Sequence, residues 1–95
     1  MDWDEALDVN ERVVMFAVPL IDPDSLSDPM DPLQAGEYQL AMYMAIYWLN
    51  QAGKVLPPDL LAEARRSLEN QGNEHEAREI AAWLDVMEAQ VAATS

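Results

Sequence analysis

Cysteine is absent, histidine occurs once, and the 95 residues include only three glycines and five lysines or arginines. Without cysteine there is neither a disulfide framework nor a thiolate metal centre. The lone His75 excludes a paired-histidine metal site, and its place among Glu74, Glu76 and Glu79 in the first turn of an expected helix points to a solvated ring. Three isolated glycines leave no glycine-rich loop to cradle a phosphate. Ser25, Ser27, Ser67 and Ser95 have no recognisable base beside them, so no nucleophile–base pair stands out. Neither catalysis, nor a metal, nor a cofactor is expected.

Long hydrophobic runs are missing as well. No apolar stretch reaches the roughly 18 residues of a membrane-spanning helix. The opening MDWDEALDVNER is acidic where a secretory leader is basic and then apolar. A cytoplasmic chain with no membrane partner is the expectation. The scarcity of cations matters most. Eighteen carboxylates against five cations give a net charge of −13 and a pI near 4.1. Such a surface repels nucleic acid and anionic lipid as direct ligands, and its natural complement is a basic protein.

What is present is a large apolar share, 51% of residues, ample for a core and too high for a disordered chain. One domain spanning 1–95 is expected at this length. The charge is uneven along it. Residues 1–37 carry ten acids against Arg12 alone, a net of −9, and residues 38–95 carry eight acids against four cations, a net of −4.

The periodicity predicts an all-α fold, a compact bundle of about four helices with a Pro/Asp-rich loop between the first two. In the first helix Asp2 is placed to cap and Glu5 to close a capping box, with Trp3, Leu7, Val14 and Val18 along one stripe and Pro19 at its end. RVVMFAV, residues 12–18, reads equally as a strand, but no other segment offers a pairing partner. In the second helix Asp31 is the expected N-cap, Pro32 the first helical residue and Gln34 the capping-box partner. From Leu40 to Leu49 its only polar side-chain atoms are the hydroxyls of Tyr43 and Tyr47. A helix apolar all round is central to its own bundle or shared with another chain. Gly53 is its expected left-handed terminus. A third helix starts at Pro57-Pro58-Asp59 with Leu61, Ala64 and Leu68 inward. A fourth is capped by Asn73, with Ala77, Ile80, Leu84, Met87 and Val91 at three-and-four spacing and Trp83 at the stripe's edge. These last two are expected to form a C-terminal antiparallel hairpin.

Several segments carry partial likenesses. The third and fourth helices have the outline of a helix-turn-helix, but Glu74, Glu76 and Glu79 stand where a DNA reader needs cations or amides. Residues 70–84, NQGNEHEAREIAAWL, resemble the turn and second helix of a tetratricopeptide hairpin, a family that stacks several copies where this chain has one. Arg65 and Ala81 depart from that pattern, leaving a generic helical hairpin. Asp24-Ser25-Leu26 resembles the motif at which acyl carrier proteins attach phosphopantetheine. There the motif enters a helix directly, a course that Asp28-Pro29 and Asp31-Pro32 are expected to block. Asp22, Asp24 and Asp28 fall at calcium-loop spacing, but Leu26, Ser27 and Leu33 occupy positions where an EF-hand needs an oxygen donor, a glycine and a glutamate.

PLIDPDSLSDPMDP, residues 19–32, is the most distinctive stretch. Its prolines are expected to hold an extended chain, placing Asp22 and Asp24 about 6 Å apart in polyproline geometry, at about 3.1 Å per residue. That spacing is close to the roughly 6 to 7 Å between successive phosphates, about two units of the 3.4 Å rise per strand. Together with Asp2, Asp4, Glu5, Asp8 and Glu11, the aspartates at 22, 24, 28 and 31 form a candidate anionic surface for the groove of a basic protein that itself handles nucleic acid. The function this favours is non-enzymatic inhibition of the anti-CRISPR, anti-restriction or nuclease-immunity type. The alternative is a helical assembly or accessory subunit that homodimerises or docks through Tyr43, Met44, Tyr47 and Trp48, residue types enriched at protein contacts.

Overall fold

Residue 2 starts the first helix as the capping pattern requires: the Asp2 carboxylate accepts the backbone N–H of Glu5 at 2.8 Å. The computed structural model describes residues 1–94, leaving Ser95 outside, and it is all-helical, with no strand among those residues. Helix α1 runs Trp3–Ala17 straight through the strand-like segment. Its buried stripe is Ala6, Val9, Val13, Val14 and Ala17. Burying an aliphatic side chain is worth about 1.5–3 kcal/mol, whereas valine's helix propensity lags alanine's by no more than about 0.7 kcal/mol, so burial wins. Trp3 does not join this stripe and is 54% exposed. A 3₁₀ turn at Val18–Leu20, containing Pro19, ends the helix.

The expected extended loop is folded. Asp22 heads a 3₁₀ turn, Pro23–Ser25, with its side chain accepting the N–H of Asp24 at 3.0 Å. Helix α2, Ser27–Gln34, follows at once. Asp24-Ser25-Leu26 therefore does lead directly into a helix, contrary to expectation. Pro29 occupies the third helical position, where a backbone N–H has no helical partner in any case. Pro32, inside the helix, forfeits its own N–H bond to the preceding turn, and α2 runs on past it to Gln34. Asp31 and Pro32 thus lie within α2 and do not start the apolar helix. That helix, α3, is Tyr38–Gln51. Among the described residues there are five α-helices, because the segment expected as a loop and the start of the second helix forms a short helix of its own before α3.

Glycine makes the division. Gly36 has φ +82° and Gly53 has φ +69°. Beyond α2, Glu37 N–H donates to Pro32 C=O (2.8 Å) and Gly36 N–H to Leu33 C=O (3.1 Å). Beyond α3, Lys54 N–H donates to Leu49 C=O (2.9 Å) and Gly53 N–H to Asn50 C=O (3.2 Å). Both are Schellman endings, which need a left-handed residue at that point.

Helix α4 is Pro58–Ser67, extended by a 3₁₀ turn at Leu68–Asn70, and α5 is Glu74–Thr94. Asn73 caps α5, its Oδ1 accepting the N–H of Glu76 at 3.0 Å. Helix α3 is central, packed against α1, α2 and α5, while α4 rests chiefly on α1. Helices α4 and α5 touch sparsely, so the packing follows α3 and α1 more than the expected hairpin. Leu68 is only half-buried, and Ser67 completes the inward face of α4 with Leu61 and Ala64. The core gathers Val9, Val13 and Val14 with Met42, Ile46 and Leu49, closed by Ile80, Leu84 and Met87. The radius of gyration, 12.2 Å, matches the roughly 12.4 Å of a compact chain this long.

Candidate functional site

The outward face of α1 follows from its buried one. With Ala6, Val9, Val13 and Ala17 inward, Asp4, Asp8, Glu11 and Met15 share the opposite stripe at four- and three-residue steps, and all four are exposed. At 1.5 Å per residue their carboxylates rise by about 6 Å and then about 4.5 Å along a rigid axis. Glu5 lies beside them on the flank nearer α4. Here the fold supplies the regular anionic spacing that had been expected of Asp22 and Asp24. Asp24 lies in a 3₁₀ turn, and the Asp22 carboxylate is engaged in capping it.

Eight of the nine candidate carboxylates are exposed: Asp2, Asp4, Glu5, Asp8, Glu11, Asp22, Asp24 and Asp31. Asp28 is half-buried, and its Oδ2 accepts the indole N–H of Trp48 at 2.8 Å, which ties α2 to α3. No three His, Asp or Glu side chains among the described residues are grouped to hold a metal ion, the aspartates of this segment included.

One cation interrupts the α1 surface. Arg12 donates through Nε to Asp8 (2.9 Å) and through Nη1 and Nη2 to the two oxygens of Glu63 on α4 (3.2 and 2.5 Å). The Glu63 hydrogen bond, and secondarily the one to Asp8, raises the Arg12 pKa further, while Arg12 holds the Glu63 carboxyl below its ordinary range. A second clamp joins α4 to α5, where Arg65 reaches Asp85 (2.6 Å) and Glu88 (2.9 Å). These two arginines are thus internally committed. From Arg12 to Lys54 the chain has no other lysine or arginine, so Arg12 is the one cation that α1 and α2 carry, and the acids of α2 have none nearby in sequence.

Tyr43, Met44, Tyr47 and Trp48 are all half-buried. The Tyr43 and Tyr47 rings pack against Trp83 of α5 at centroid distances of 5.3 and 5.7 Å, and Tyr47 meets Trp48 edge-on at 5.1 Å. Burial, and secondarily the hydrogen bond and charge of Glu79, push the Tyr43 phenol up. His75 is exposed and lies 2.6 Å from Glu79 Oε1.

The sequence reading missed Glu63 as a partner of Arg12, since their spacing of 51 residues has no local signature. It also missed the clamp made by Gln39. That side-chain amide donates to Asn70 C=O and accepts Gly72 N–H (3.1 Å), holding the α4–α5 linker against the start of α3. Compared with known protein families, curated proteins and solved structures, the chain matches none. No helix among the described residues is long and apolar enough to cross a membrane.

Proposed function

We propose that this chain is a non-enzymatic acidic inhibitor that occupies the basic groove of a nucleic-acid-handling protein, in the manner of anti-CRISPR, anti-restriction or nuclease-immunity factors. The observation that carries the reading is the α1 stripe Asp4–Asp8–Glu11, exposed and regularly stepped on a helix whose opposite face is locked into the core. Preorganised charges lose little entropy on binding and steer a cationic partner during encounter. Asp22, Asp24 and Asp31 are exposed as well, on the 3₁₀ turn and on α2.

The alternative, assembly through the apolar third helix, has less support. Tyr43 and Tyr47 are engaged with Trp83, and Trp48 with Asp28, within one chain. A monomer by sedimentation at micromolar concentration would count against this alternative, whereas a dimer is compatible with either reading.

The decisive experiment recovers basic proteins from a lysate on the immobilised chain at low salt, then measures the affinity of the captured protein against ionic strength and against duplex nucleic acid. Affinity is expected to fall steeply with salt and in competition with the duplex. An Asp4→Asn, Asp8→Asn, Glu11→Gln variant is expected to lose about tenfold or more, roughly 1.4 kcal/mol. Binding indifferent to both salt and nucleic acid would overturn the proposal.

A further inference from the structure

Beside the acidic stripe lies a groove of about 310 Å³ between the start of α1, the start of α3 and the α4–α5 linker. Its walls combine apolar side chains, Trp3 and Leu7 from α1 and Tyr38 and Leu40 from α3, with the amides of Gln39 and Gln71, and the Gln71 amide is buried with no hydrogen-bond partner among the described residues. Two of these are unusually open to water for their size, Trp3 at 54% and Leu40 at 38%. The remaining charge on its lining is entirely negative, from Glu37 and Glu76, and no lysine, arginine or histidine among the described residues contributes. On the α1 surface the Trp3–Leu7 ridge also borders Asp4 and Glu11, three or four residues from Leu7, so the groove and the acidic stripe are continuous.

Size narrows the occupant. Small-molecule sites typically enclose about 300–1,000 Å³ and surround most of the ligand. This groove sits at the lower limit and receives one or two side chains more readily than a cofactor. Its walls are held in place, because Gln39 fixes the linker to α3 from both ends of its amide. The groove is therefore a standing feature of the fold.

We infer that this groove is the anchor site for a segment of the basic partner that carries one large apolar side chain flanked by lysines or arginines. The apolar side chain fills the space between Trp3 and Leu40, while the flanking cations meet Glu37 and Glu76 on one side and Asp4 and Glu11 on the other. The inference rests on the partner being basic, as proposed above, and adds what that partner inserts. Charge supplies long-range attraction there, and the apolar anchor supplies specificity.

Two synthetic peptides of equal length and charge test it, both built of lysine and serine, one with a central phenylalanine and the other with serine in its place. Each is titrated into the isotopically labelled full chain, with affinity and amide and indole shifts recorded by NMR. The phenylalanine peptide is expected to bind about tenfold more tightly, as partial burial of an aromatic side chain implies, with the largest shifts at the Trp3 indole, Leu7 and Leu40. A Trp3→Ala, Leu40→Ser variant is expected to lower the phenylalanine peptide to the affinity of the serine one without altering the latter. Both side chains are exposed enough for the variant to fold, and circular dichroism checks that it does. Equal affinity of the two peptides overturns the anchor and leaves the acidic-surface reading standing, whereas no binding by either counts against both. Self-association that moves the same signals without peptide assigns the groove to a second copy and overturns the inference.

Discussion

Asp28 carries the same charge as its exposed neighbours but does different work, because its oxygen is the acceptor for a half-buried indole. Hydrogen bonds to charged groups contribute about 1.5–3 kcal/mol when well shielded. With Asp28 half-buried, Asp28→Ala is expected to cost about 1–2 kcal/mol, read from the urea midpoint and from the Trp48 emission. Asp31→Ala, a solvent-facing change on the same helix, is expected to stay within about 0.5 kcal/mol. Asn10 poses the opposite case. It is 2% exposed, on the inner face of α1, and its Oδ1 has no hydrogen-bond partner among the described residues. An unpaired buried amide costs more than an apolar group of like shape. Asn10→Leu is accordingly expected to raise stability by about 1 kcal/mol. A fall in the midpoint would mean that the oxygen is satisfied, as by an internal water.

At the scale of elements, the Arg12–Glu63 contact is the polar link between α1 and α4, and its pH dependence has a definite sign. The Arg12 hydrogen bond lowers the Glu63 pKa in the folded chain. Its contribution is therefore complete above the ordinary glutamate value of about 4.3 and is lost as pH falls through the depressed folded value. Glu63→Gln is expected to be less stable than the native chain near neutrality, with the difference closing in acid. A constant difference across that range would show that the residue acts by packing. The helices themselves were legible where caps and periodicity agree: Asp2 and Asn73 both cap as their positions imply, and Gly53 ends α3. The division of α2 from α3 is not evident from the pattern, although Ala35-Gly36 repeats the Ala52-Gly53 pair that marks the end of α3. The prolines masked it. Pro32 after Asp31 has the look of a helix start, whereas Pro29 takes the start-like position and Pro32 lies near the end. Of the candidate site, the acidic residues were legible by composition. Their arrangement was not, since the inward stripe of α1 uses small and β-branched residues and leaves Trp3 outside.

On the whole-molecule scale, the net charge of −13 acts against the fold even as it favours a cationic ligand. Asp4 and Asp8 stand four residues apart on one helix face, and Asp8 and Glu11 three apart, spacings at which like charges destabilise a helix by about 0.2–0.5 kcal/mol a pair. Arg12 relieves Asp8 in part, and among the described residues neither Asp4 nor Glu11 is ion-paired. A surface shaped only by stability would intersperse lysines, and α1 and α2 have none. Salt separates the two consequences. Raising ionic strength from about 0.01 to about 0.1 M shortens the Debye length from about 30 to about 10 Å. Self-repulsion among the many exposed acids is screened over that range, as are the few surface ion pairs. Because uncompensated acids outnumber the pairs, the urea midpoint is expected to rise with salt while affinity for a basic partner falls. A midpoint that falls along with affinity would mean that the Arg12 and Arg65 clamps outweigh the repulsion, and the exposed carboxylates would then be a tolerated surface with no stability cost for binding to explain.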